Sequence, residues 1–207
     1  NIGYGGEDNG GIYHSIYDSF AWYTKFSDGD LVYGRALAQT AGTLLMRLAA
    51  APVLPFQFTD YGTTIERYVA DIERLQASRR HAPAIALAPL RTAVARLRTS
   101  AAAYERAMGA LPAAPSSALM ARNTDLKALN ALLLTSERRF ALDKGLPRRD
   151  WFKHAIYAPG FYTGYGVKTL PMLREGIEES QWAEARAAVP AIAGTLAALA
   201  GQLHQAA

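Results

Sequence analysis

Apolar residues recur at spacings of three and four positions through most of the chain, a pattern typical of amphipathic helices. The pattern predicts helices over residues 31–50, 60–80, 87–108, 116–144, 171–179 and 178–203. In the last helix an apolar residue recurs every seven positions, at Trp182, Val189, Leu196 and Leu203, which indicates a packing seam that Pro190 should kink. Four or five long helices joined by short connections predict a mainly α fold, an antiparallel helical bundle.

Two stretches depart from the helical pattern. Residues 1–11 are rich in glycine and asparagine and should form a loop, and residues 12–17 alternate as a short strand in which His14 and Tyr13 point to opposite sides. A short helix or turn over residues 20–26 follows, with Asp18 or Ser19 as its N-cap, and residues 27–30 form a break that caps the next helix. Residues 148–170 show no sustained helical period and are rich in aromatic residues and glycine, which in a compact domain is more often functional than idle.

Composition limits the classes of protein to which this chain can belong. Half of the residues are hydrophobic, and 22 Lys+Arg against 18 Asp+Glu give a net charge of +4, as expected of a folded, helix-rich, soluble chain. The basic clusters at residues 79–81, 138–139 and 148–149 lack interleaved aromatic residues, so we interpret them as solvated helix ends and loops and expect no nucleic-acid partner. The absence of cysteine excludes disulfides and thiolate chemistry. No apolar run approaches the length of a membrane span, and we expect no membrane contact by this segment.

Candidate chemistry begins with His14, whose imidazole is either a metal ligand or a structural residue. The other histidines, His81, His154 and His204, lie at helix ends or in the irregular segment and have no spacing that closes a metal site. No local group of acidic residues supplies the bridging carboxylate of a two-metal hydrolase. A start inside a glycine-rich loop, without methionine or a signal-peptide pattern, suggests a piece of a longer protein.

Four segments together resemble a known family: residues 12–18, 53–61 and 154–159, and the helix that contains Trp182. Their order and separations are similar to those in the C-terminal part of glutamate carboxypeptidase II and its relatives, which are zinc peptidases. The resemblance implies that residues 1–28 are the C-terminal remnant of an α/β zinc peptidase domain. It also implies that residues 29–207, with a substrate-side loop at 148–170, are a transferrin receptor-like dimerisation domain.

The same resemblance implies roles for individual residues. His14 matches the last ligand of a two-zinc site, and Tyr13 matches a tyrosine whose hydroxyl faces the tetrahedral intermediate, although a core ring is the plain alternative for Tyr13. Tyr165 matches the tyrosine that binds the carboxylate of the substrate's C-terminal residue. Gly164 stands where the glutamate-preferring enzyme has a lysine, which puts glutamate preference in doubt, and Lys168 lies nearby in a different register. Asp18 is expected to cap a helix.

The remaining zinc ligands and the general base of that family lie before the His14 segment. We therefore expect two zinc ions and a peptide substrate for the parent protein, and neither tight zinc binding nor hydrolysis by this chain alone. The helical domain predicts a homodimer. The alternative is a non-catalytic interaction module, as in transferrin receptors, and the retained His14 favours the enzyme. A stand-alone basic helical bundle is a third possibility. The parent's location, whether periplasmic, secreted or membrane-anchored, stays open.

Overall fold

Helices account for most of the chain in the computed structural model, which describes residues 2–3, 12–80, 82–111 and 123–207. The helices are α1 (Phe20–Phe26), α2 (Val32–Ala50), α3 (Thr59–Ser78), α4 (Ala88–Gly109), α5 (Asn123–Leu134 in its described part), α6 (Pro171–Glu178) and α7 (Trp182–Ala206). A 3₁₀ turn covers Glu137–Phe140, and two short strands, β1 (Tyr157–Pro159) and β2 (Val167–Thr169), form an antiparallel hairpin. The predicted mainly α fold is confirmed.

Most predicted helix ends lie within one or two residues of the observed ones, but the last helix begins four residues later and ends three residues later than predicted, and the fourth helix differs more. It stops at Leu134, ten residues before the predicted end at Lys144. The hydroxyls of Thr135 and Ser136 donate back to the carbonyl oxygens of Ala131 and Leu133, which favours termination of a helix. The predicted cap at Ser116 or Ser117, the proline-rich connection at 112–115, most of the predicted loop at 1–11 and His81 lie outside the described residues.

The chain divides into two units, residues 1–55 and residues 56–207. In the larger unit α4 packs against α3 and α7, and α7 also packs against α6 and the 3₁₀ turn. The predicted seam of α7 forms the centre of this core, with Val189, Leu196 and Leu203 buried and Trp182 half-buried. Burial of this apolar stripe is the main source of stability for such a helix. The predicted boundary after residue 28 stays a prediction.

Helix α7 is long and apolar enough, by length and composition alone, to cross a membrane. The expectation that no apolar run approaches that length is therefore wrong for this helix. Half of its apolar window is buried inside the unit, against α4 and α6, so packing in the core accounts for its hydropathy.

The smaller unit contains α1 and α2, and Asp28 joins them. Its carboxylate oxygens accept hydrogen bonds from the backbone N–H groups of Val32 and Gly34, both at 2.8 Å, and from the hydroxyl of Tyr23 at 3.2 Å. These bonds satisfy two of the N–H groups that the start of a helix leaves without partners. The predicted break at 27–30 therefore supplies capping bonds to α2 through Asp28, although the N-cap residue itself is Leu31.

Candidate functional site

Residues 12–19 form consecutive turns. The backbone N–H of Ser15 donates to the carbonyl oxygen of Ile12 at 2.9 Å, and that of Asp18 donates to the carbonyl oxygen of Ser15 at 3.1 Å. His14 has a φ of 64°, in the left-handed region that a strand excludes. The predicted strand over 12–17 is therefore wrong. A strand needs a neighbouring strand for its hydrogen bonds, whereas among the described residues the hydrogen bonds of residues 12–17 are local turns that reach no further along the chain than Ser19.

The turns change the relation between the two candidate residues. The rings of Tyr13 and His14 lie side by side, with centroids 4.0 Å apart, instead of diverging as the strand predicted. Both side chains are exposed, and no hydrogen bond joins the imidazole of His14 to another residue that the structure describes. The N-cap of α1 is Ser19, whose hydroxyl accepts from the N–H of Trp22 at 3.3 Å. Of the two predicted cap residues, Ser19 is confirmed and Asp18 is wrong.

No group of three or more metal-ligating side chains occurs within the described ranges. The only predicted zinc ligand in the chain is His14, and its exposed imidazole fits the role of one ligand in a shared site. A complete zinc site therefore needs ligands from outside the described residues.

The hairpin of β1 and β2 carries the predicted substrate residues. Its connecting loop, residues 160–166, is closed by a hydrogen bond from the N–H of Gly160 to the carbonyl oxygen of Gly166 at 2.9 Å. Gly164 has a φ of +55°, and a side chain there would meet open space. Tyr165 follows it and is fully exposed. The structure thus places both predicted residues at the tip of a short, internally bonded loop.

A buried ion pair holds the base of this loop. Arg149 is 3% exposed and Glu175, on α6, is 6% exposed, and their side chains form a salt bridge. The guanidinium also donates to the carbonyl oxygen of Pro159 at 2.5 Å, and Glu175 accepts from the N–H of Phe161 at 2.7 Å. Both ends of the ion pair therefore bind the backbone where the loop begins. The interpretation of residues 148–149 as solvated is wrong for Arg149.

Glu137 forms a second polar cluster below the hairpin. Its carboxylate accepts hydrogen bonds from the hydroxyls of Tyr61 (2.6 Å) and Tyr157 (2.9 Å) and from Nε2 of His154 (2.9 Å). Nδ1 of His154 accepts from the backbone N–H of Ile156, which assigns the proton to Nε2. Two of the segments that carried the family resemblance, 53–61 and 154–159, therefore meet at Glu137. Sequence reasoning missed this residue because no local pattern marks it.

The cluster shifts the pKa values of its members. Partial burial by itself would raise the pKa of Glu137, but the hydrogen bonds from Tyr61, Tyr157 and His154 outweigh it and lower that pKa. Burial and the bond to Glu137 raise the pKa of Tyr61. The adjoining cavity of about 250 Å³ is mostly apolar and is smaller than an ordinary ligand pocket, so we assign the cluster a structural role.

Replacing Glu137 by glutamine should reduce the free energy of unfolding at pH 7 by about 1–2 kcal/mol, because one of the two acceptor oxygens of this half-exposed group becomes an amide nitrogen and the other loses its charge. The folded carboxyl has a lowered pKa, so its stabilisation is present above the unfolded pKa and is lost as the pH falls through the folded value. Urea unfolding of Glu137→Gln and the unmodified chain at pH 7 and pH 4 checks this. An equal difference at both pH values would contradict it.

Comparison with known proteins shows which families of proteins this chain is similar to. Residues 85–204 match the family model described as the transferrin receptor-like dimerisation domain. A probable glutamate carboxypeptidase of Arabidopsis thaliana is 29% identical over 170 residues, which cover 82% of this chain and 23% of that protein. An aminopeptidase of Rattus norvegicus is 28% identical over 199 residues, which cover 90% of this chain and 26% of that protein. A probable glutamate carboxypeptidase of Zea mays is 31% identical over 156 residues, which cover 75% of this chain and 21% of that protein. The chain spans about a quarter of the length of these relatives.

Proposed function

The chain belongs to the family of transferrin receptor-like dimerisation domains, and on that premise we propose that it is the dimerisation and substrate-loop portion of a zinc-dependent exopeptidase. The observation that carries the proposal is the hairpin loop at 160–166, which the Arg149–Glu175 pair holds at its base and which exposes Tyr165 at its tip. A rigidly based loop with an exposed hydroxyl suits recognition of a substrate's terminal carboxylate. The relatives named as peptidases support the same reading.

In this proposal Tyr13 and His14 belong to the active site of the longer protein. His14 would contribute one imidazole to a two-zinc site whose other ligands lie outside the described residues. Zinc, when bound, supplies a Lewis acid and a nucleophilic water at neutral pH. The exposed phenol of Tyr13 would donate a hydrogen bond to the oxygen on which negative charge develops during attack on the peptide carbonyl. The chain alone, with a single ligand, is proposed to be inactive.

Hydrolysis by the full-length parent tests the enzymatic part. We expect it to release the C-terminal residue from an N-acetylated peptide, and to leave intact a peptide of the same sequence that has a free N-terminus and an amidated C-terminus. A chelator should abolish release and added zinc should restore it. Release from the amidated peptide only, at its free N-terminus, would instead make the parent an aminopeptidase. No release from either peptide by zinc-loaded protein would favour the non-catalytic interaction module.

The helical domain is proposed to form a two-fold homodimer, as the family description indicates. Light scattering of the purified chain at micromolar concentration should report twice the 22.4 kDa mass of one chain. A stable interface of ordinary size should keep this mass constant over at least a tenfold dilution. A mass of one chain at every concentration would contradict the proposal.

A further inference from the structure

The charges around the hairpin loop indicate which substrate side chain the loop accepts. Residues 148–170, all of which the structure describes, contain four cations: Arg148, Arg149, Lys153 and Lys168. A substrate with an acidic C-terminal side chain would need one of them, or a cation from a neighbouring element, to be free at the loop tip.

Three of these cations are bound to carboxylates. Lys168, on β2, donates to both carboxylate oxygens of Glu178 at 2.8 and 3.0 Å. Arg148 pairs with Glu179 at 2.7 Å and with Glu184 at 3.5 Å, and its guanidinium lies over the ring of Phe161. These ion pairs are partly buried, so each cation is already neutralised before a substrate arrives.

The third is Arg149, which the buried salt bridge to Glu175 holds beneath the loop. The remaining cation, Lys153, donates its ammonium hydrogen to the carbonyl oxygen of Asp143 at 2.9 Å. Three of the four cations of residues 148–170 are therefore paired with carboxylates, and the exposed Lys153 is bound to Asp143, in the segment that precedes the hairpin.

One further cation touches the hairpin from α6. Arg174 donates to the carbonyl oxygen and the hydroxyl of Thr169, both at 3.0 Å. Thr169 pairs with Tyr157 at the open end of the two-stranded ladder, whereas the loop leaves the ladder at Pro159 and Val167. Two residues of strand separate Thr169 from Val167, about 7 Å. Arg174 therefore lies at the end of the hairpin opposite the loop.

What the tip does expose is aromatic and apolar. Tyr162 and Tyr165 are exposed in the loop, and Val167 is exposed at the start of β2. Gly164 adds no side chain and leaves open space beside Tyr165. Burying a carboxylate against such a surface removes its hydration without a compensating charge, whereas burying an apolar side chain there is favourable.

We propose that the loop at 160–166 selects a neutral, apolar or aromatic C-terminal residue and discriminates against glutamate and aspartate. This inference rests on the proposed exopeptidase function. In it the hydroxyl of Tyr165 binds the main-chain carboxylate of the substrate, and the surface of Tyr162 and Val167 contacts the side chain. The preference for a neutral side chain follows because the cations around the loop are bound to other groups. No free positive charge from these residues therefore lies at the loop tip.

The test is the specificity of the full-length parent toward N-acetylated peptides that differ only in a C-terminal Leu, Phe, Gln or Glu. We expect kcat/KM for Leu or Phe to exceed that for Glu by at least tenfold. Gln has nearly the shape of Glu without its charge, so it should also be released several-fold faster than Glu. A higher kcat/KM for Glu than for Gln and Leu overturns this inference and leaves the exopeptidase function intact. Release of none of the four overturns both.

A pair of variants isolates the charge at the tip. Gly164→Lys places a free ammonium beside Tyr165, and Gly164→Gln imposes the same backbone strain at positive φ without a charge. The ratio of kcat/KM for Glu to that for Gln should be about tenfold higher in Gly164→Lys than in Gly164→Gln. Equal ratios in the two variants would overturn the assignment of side-chain selection to this loop.

Discussion

Glu175→Ala should lower the free energy of unfolding of this chain by about 3–5 kcal/mol, the cost of leaving a buried charge without its partner. Arg149 would keep its guanidinium in a site that is 3% exposed. Its Nε is already buried without a hydrogen-bond partner in the described residues, so the arginine depends on Glu175 and the carbonyl of Pro159. The variant also removes the acceptor of the Phe161 N–H. Urea unfolding followed by circular dichroism measures the change.

Two further variants distinguish the cost of leaving Arg149 buried without its partner from the smaller cost of losing a partly exposed ion pair. Glu178→Ala removes the partner of Lys168, a pair that keeps about a quarter of each side chain exposed, and should cost less than about 1 kcal/mol. Arg149→Met combined with Glu175→Ala removes both buried charges and should recover much of the stability lost in Glu175→Ala. If Glu175→Ala cost no more than Glu178→Ala, the ion pair would not hold the base of the loop.

The helical architecture could be predicted because it depends on local periodicity. Apolar residues at helical spacing predicted α3 and α4 with bounds close to the observed ones, and three residues of the predicted α7 seam, Val189, Leu196 and Leu203, are buried as that spacing requires. The break at 27–30 was equally local, since Asp28 reaches only six residues forward to Gly34. Such features need no knowledge of the rest of the fold.

Features that depend on distant partners could not be predicted in this way. Arg149 was expected to be solvated because it forms a basic cluster with Arg148 that lacks interleaved aromatic residues, but its partner Glu175 lies 26 residues away on another element. Glu137 receives hydrogen bonds from Tyr61, 76 residues earlier, and from Tyr157, 20 residues later. The strand expected at 12–17 failed for a related reason, since alternation alone does not supply a neighbouring strand.

The candidate site also combines features that could be predicted from the sequence with features that only the structure shows. The resemblance to the family selected Tyr165 and Gly164, and the structure adds that they occupy an exposed loop tip above a buried ion pair. It selected Tyr13 and His14 as well, and the turns bring their rings together. The roles of all four residues stay predictions, and the role of Tyr13 has the sharpest test.

Tyr13→Phe in the full-length parent should reduce kcat by about 10²–10³-fold, the usual cost of removing one hydrogen-bond donor to a developing oxyanion. KM should change little, because the bond is made in the transition state and not in the ground state. The side chain is exposed in this chain, so loss of the hydroxyl should not disturb the fold. Zinc content should also be unchanged, because the phenol is not proposed to bind the metal.

The matched control is Tyr17→Phe, which removes an exposed hydroxyl from the same run of turns and should leave kcat near that of the unmodified parent. His14→Ala provides the opposite signature, because loss of a zinc ligand should lower the zinc content together with kcat. Metal analysis beside steady-state kinetics therefore distinguishes a residue that stabilises the transition state from one that holds the metal. A kcat for Tyr13→Phe equal to that of Tyr17→Phe would remove Tyr13 from the mechanism and leave its ring as a packing partner of His14.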